Sequence, residues 1–137
     1  MPVRPAIIPC LVYADAPRAI TFLCDAFGFT RHAVHAEGDV VHHAQLLLEG
    51  NMIMLSSARP QSHERFAMVP IGALGGRSAL CVCVVLDDPD AHHAAARAAD
   101  ADIIDPPHDN PYSGRSYEVR DCEGIVWSFG NYDPFAA

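Results

Sequence analysis

The feature that most constrains this chain is an internal repeat. An apolar run, IIPCLVYAD over 7–15, ends at Asp15, and a second, LCVCVVLDD over 80–88, ends at Asp88. Each aspartate can cap a helix that carries proline at its start, Pro17 in one case and Pro89 in the other. Ala19, Ile20, Leu23 and Phe27 recur at helical spacing after the first, and Gly28 supplies a stop. The helix AHHAAARAA follows the second. Three strands come next in the first half, TRHAVHAEG over 30–38 and then VVHHAQLLLEGNMIMLSS over 40–57, folded at a hairpin on Gly50-Asn51. In the second half a strand begins at Asp102–Asp105, and SYEVR and IVWSFG flank a turn at Asp121–Gly124. Asp15 and Asp88 are 73 residues apart, and Gly50 and Gly124 are 74 apart. The offset exceeds solenoid periods and predicts paired modules.

The expected fold is therefore α+β: two tandem βαβββ modules, about 6–57 and 79–131, forming curved mixed sheets around a concave cleft in one domain. Residues 58–78 join them, and the prolines with Gly72, Gly75 and Gly76 mark a long connection that suits a lid or a linker. Half of the 137 residues are hydrophobic, enough for a sizeable core.

Charge narrows the partners. The formal net charge is −8 and only nine residues are Lys or Arg, scattered along the chain. That excludes phosphate tracking along nucleic acid and disfavours anionic membranes. Arg4 and the early prolines interrupt any leader pattern, and no apolar run reaches membrane-span length. A cytoplasmic location is expected. Five cysteines, Cys10, Cys24, Cys81, Cys83 and Cys122, form no Cys-x-x-Cys pair, and the odd number suits reduced thiols.

Three stretches carry a resemblance to a known family: DAPRAITFLCDAFGF (15–29), DDPDAHHAAARAADADI (87–103) and PYSGRSYEVRDCEGIVWSFGNYDP (111–134). Together they resemble the vicinal oxygen chelate superfamily, which holds glyoxalase I, fosfomycin-resistance proteins, extradiol dioxygenases and bleomycin-resistance proteins. GRSY followed by D-x-E-G-x-x-W-S-F is most similar to the glyoxalase/bleomycin-resistance-like subgroup. The resemblance implies four metal-ligand positions, which fall on Ile8, Met54, Cys81 and Ser128. Ile8 and Met54 offer no donor to a hard cation, and neutral Ser128 is a poor one. A shift of one residue to Ile7, Pro9, Leu55 or Phe129 restores nothing. No metal and no cofactor are expected.

Alternation along the strands predicts what lines the cleft instead. Met52, Met54, Gln45 and His43 are placed there by the first module. Tyr117 and Ser128 come from the second, Cys10 from the first strand, and Cys81 and Cys83 from the fifth. Such a lining suits a hydrophobic or aromatic small molecule oriented by few polar groups. Trp127 and Phe129 are expected under the helices, and His92 and His93 on a solvated helix face. Met52 and Met54 also fit plain core, and the three thiols also fit buried inert cysteine. Arg115 and Tyr112 either gate the pocket or hold their loop.

Three functions compete. The first is a homodimeric, metal-independent drug- or metabolite-sequestering protein of bleomycin-resistance type, with clefts at the subunit boundary as the resemblance implies. The second is a glyoxalase-like lyase, isomerase or dioxygenase with a non-standard metal site, or with His43 as general base. The third is a soft-metal or metalloid trap built on Cys10, Cys81 and Cys83.

Overall fold

The computed structural model describes residues 1–4 and 6–136. It contains two βαβββ modules. Strand β1 (Cys10–Tyr13) leads to helix α1 (Ala16–Phe27) and strands β2 (Thr30–Glu37), β3 (Val40–Leu48) and β4 (Asn51–Ser57). A short helix α2 (Pro60–Phe66) and a 3-10 turn at Ile71–Leu74 lead to β5 (Val82–Val85), α3 (Pro89–Ala98), β6 (Asp102–Asp109), β7 (Arg115–Arg120) and β8 (Val126–Gly130). The sheets run β1-β4-β3-β2 and β5-β8-β7-β6. In each, the first and last strands of the module pair in parallel and the others pair antiparallel.

The repeat is visible in the caps. Asp15 Oδ1 accepts the Arg18 amide at 3.1 Å, and Asp88 Oδ1 accepts the Ala91 amide at 3.0 Å. Gly28 ends α1 at φ 88°, a left-handed conformation that costs glycine little. Both leading strands are shorter than the apolar runs that announce them. Pro9 has no amide to give, so β1 begins at Cys10, and Ile7 stands 96% exposed.

The helices form the layer between the sheets. Helix α1 lies on its own sheet and packs beside α3. The α1 terminus reaches the opposite module, where Phe27 meets Trp127 and Phe129 at ring-centre distances of 5.3 and 4.9 Å. Phe29 meets Trp127 at 5.7 Å. Trp127, Phe129, Tyr117, Leu23 and Leu46 are fully buried in one continuous core.

The connection over 58–78 is more ordered than its glycines and prolines suggest. Arg59 ties it to β3, with Nη1 2.9 Å from His42 Nδ1 and Nη2 donating to the His42 carbonyl at 3.3 Å.

Candidate functional site

The open face of the first sheet follows from strand parity. Ile53, Leu55 and Ser57 point into the core, so Met52, Met54 and Ser56 point outward. Gln45 stands opposite Met54, and Leu47 opposite Met52. Cys10 stands beside Met54 across the parallel ladder. His43 joins this face, its Nε2 3.1 Å from Gln45 Nε2, so the amide donates and the ring nitrogen accepts. His35 stands opposite His43 on β2, its ring stacked at 6.3 Å. Met52, Met54, His43, Gln45 and Cys10 thus share one face.

The open face of the second sheet differs from expectation. Ser128 and Cys83 are partners across the β5–β8 ladder, and both face outward. Tyr117 does not join them. It stands opposite Phe129, is fully buried, and its hydroxyl donates to His92 Nδ1 at 2.5 Å. Val119 points the same way. The cause is turn length. Two residues join β3 to β4, whereas five join β7 to β8, Asp121 to Ile125. The extra residues shift the pairing by one position, and a shift of one inverts every side chain.

Glu118 takes the place assigned to Tyr117. It stands opposite Ser128, whose Oγ donates to Oε2 at 3.0 Å. Its other oxygen lies 3.5 Å from His108 Nε2, and His108 Nδ1 lies 2.9 Å from the Pro106 carbonyl. Both neighbours of that ring are acceptors. Glu118, His108 and His35 are the polar groups that sequence reading missed. The five-residue turn was the signal that could have placed Glu118.

His92 is not solvated. It is half-buried against Phe129, and its Nε2 donates to the Phe27 carbonyl at 2.9 Å. Burial holds its pKa below the ordinary imidazole value, the backbone bond opposing. The same desolvation raises the Tyr117 phenol. His92 thus ties α3 to the end of α1, and Tyr117 belongs to the core.

A hollow of about 710 Å³ opens where the modules meet, lined by Ile8, Pro9, Met52, Cys83, Val85 and Trp127 among others. It brings Met52 and Cys83 together. Met54, His43, Gln45, Cys10, Cys81 and Ser128 lie outside that lining. Cys10, Cys81 and Cys83 are exposed, whereas Cys24 and Cys122 are half-buried. Burial, then Asp121, pushes the Cys122 thiol up to about 11.

A hard divalent ion does not fit the four positions Ile8, Met54, Cys81 and Ser128. Two are hydrocarbon or thioether, and the Ser128 hydroxyl is already engaged by Glu118. Among the described residues, no three His, Cys, Asp or Glu side chains converge to hold one.

Comparison with known proteins gives one consistent result. The Glyoxalase/Bleomycin resistance protein/Dioxygenase superfamily profile matches residues 7–129. Uncharacterized protein Mb0911c of Mycobacterium bovis is 32% identical over 130 residues, spanning 93% of this chain and 84% of its own. The crystal structure of TioX from Micromonospora sp. ML1 is 32% identical, covers 90% of this chain and 93% of its own, and superposes with a TM-score of 0.71. The UcmS2 crystal structure, 16% identical and covering 96% and 100%, shares the fold with a TM-score of 0.78.

Proposed function

The chain belongs to the glyoxalase/bleomycin resistance protein/dioxygenase superfamily, and from that premise we propose that it is a metal-independent binding protein that sequesters a hydrophobic or aromatic small molecule. One observation carries the reading: the positions where the resemblance implies a metal shell hold Ile8, Met54, Cys81 and Ser128, within faces rich in apolar and sulfur side chains. Met52, Met54 and Leu47 supply adaptable apolar contact, and His43, Gln45, Glu118 and Ser128 supply a few orienting bonds.

A homodimer completes the reading. Each open face is a single wall, and its edge strands β1 and β5 have unpaired rims. Leu80 and Val85 on the β5 side stand 58% and 47% exposed. A second copy covers such edges and supplies the facing wall. No described helix is long and apolar enough to cross a membrane, which is compatible with a cytoplasmic role.

An enzyme is the second reading. The Glu118–His108 contact beside Ser128 favours it, because a carboxylate–imidazole pair can move a proton. Ligand screening by thermal shift separates the two. The binding reading expects stabilisation by aromatic amphiphiles, lost in Met54→Asp with the unliganded melting point kept. It fails if the same compounds are turned over, or if Met54→Asp binds them as well as the natural chain does.

A further inference from the structure

Helix α2 starts from a residue that is also tied to β3. The Arg59 carbonyl accepts the amides of Ser62 and His63 at 3.0 and 3.3 Å, which begins the helix. Its guanidinium reaches back to the sheet, where Nη1 stands 2.9 Å from His42 Nδ1 and Nη2 donates to the His42 carbonyl at 3.3 Å. We propose that Arg59 and His42 form an acid-released strap. It holds the start of the 58–78 connection on β3 while the His42 ring is neutral, and lets go when the ring takes a second proton.

Hydrogen-bond chemistry carries this. A guanidinium has donors and no acceptor, so His42 Nδ1 presents its lone pair to Arg59. The one ring proton of neutral His42 therefore sits on Nε2, which faces Glu37 Oε1 at 3.3 Å. A second proton enters at Nδ1. There it meets Nη1 donor to donor, and a hydrogen bond becomes a contact between two cations.

Two features leave the strap weak enough to release. Helix α2 has 7 residues and no side-chain N-cap bond, too little to hold itself in water. Arg59 Nε is buried with no hydrogen-bond partner among the described residues, a cost that the bonds to His42 have to offset.

The charges around the ring oppose one another. Arg59 disfavours the ring cation. Glu37 on β2 favours it, but that side chain is 87% exposed and its pull is screened by solvent. Among the described residues no other carboxylate comes within 4.0 Å of the ring nitrogens, Asp39 in the β2–β3 turn and Glu64 on α2 included. The adjacent His43 bonds Gln45 instead, and Arg65 of α2 lies over the Phe66 ring. The released state thus binds the second proton more readily than the strapped state. The strap is complete at neutral and mildly alkaline pH and is lost as pH falls.

The test is nuclear magnetic resonance of the isotope-labelled full chain at about pH 8 and about pH 5, which bracket the range where imidazoles titrate. At the higher pH the ring nitrogen shifts report the His42 proton on Nε2. At the lower pH the solvent-exchange protection of the His63 and Ala67 amides, corrected for intrinsic exchange, falls about tenfold, the order expected for one lost hydrogen bond. His42→Gln keeps an acceptor for Arg59 without titrating, and abolishes the fall. Glu37→Gln moves the release to lower pH, and Arg59→Ala removes the protection at both pH values. Melting points verify that these surface variants stay folded. The proposal is overturned if the neutral ring carries its proton on Nδ1, if protection is equal at both pH values, or if it falls as much in His42→Gln as in the natural chain. Ligand binding by the open faces plays no part in these outcomes.

Discussion

Glu118 and Ser128 stand directly opposite one another across the β7–β8 ladder, and the serine hydroxyl donates to the carboxylate at 3.0 Å. Glu118 is therefore an acidic group of the second open face, its side chain 23% exposed, while its neighbour Tyr117 belongs to the core.

That division separates two substitutions. Glu118→Gln keeps an acceptor for Ser128 and leaves the melting point nearly unchanged, but alters ligand affinity. Tyr117→Phe deletes the bond to His92 and costs about 1 kcal/mol of stability, with ligand affinity retained. Chemical denaturation and ligand titration on both variants check this. The reverse pattern would place Tyr117 on the binding face.

Asp121 is the polar centre between the modules. It is 4% exposed, and its oxygens accept the Tyr13 hydroxyl at 2.6 Å, the Trp127 indole at 3.1 Å and the amides of Glu123, Gly124 and Ile125. Glu123 beside it accepts the amides of Ala14 and Asp15. The buried donors of Tyr13 and Trp127 lose their acceptor in Asp121→Ala, so the expected loss is about 3 kcal/mol or more. Urea unfolding measures it; a loss within ~0.5 kcal/mol would contradict the hub.

His92 gives stability a pH dependence. Its folded pKa lies below the unfolded value of ~6.5, so the unfolded chain binds the proton first as pH falls. Stability from this group is full above the unfolded value. It declines as pH falls from about 6.5 toward the folded value. In His92→Gln, the drop in melting point between about pH 8 and about pH 5.5 becomes smaller than in the natural chain. An equal drop would show that the ring does not titrate against folding.

The repeat was legible because its punctuation is local: Asp15 and Asp88 as caps, Pro17 and Pro89 in the first turns, Gly28 as a stop. The β3–β4 hairpin was legible for the same reason, and so was the first open face built on it. What escaped the sequence depended on longer-range geometry. Inward and outward residues of β7 turn on the length of one loop, so Tyr117 and Glu118 were exchanged. The placement of His92 needs the packing of α3 against Phe27 of the other module, and an alanine-rich helix carries no sign of that. Helix α2 lay between prolines and glycines that suggested a lid or a linker, although Pro60 occupies a favoured first-turn position.

The most direct test of the central claim is the metal content of untagged protein purified without added metal. The account predicts no stoichiometric Zn, Ni, Mn or Fe, and aromatic-ligand binding that survives a chelator. Stoichiometric metal in each chain, lost in His43→Ala, would contradict it and make the superfamily's metal chemistry the premise for this protein.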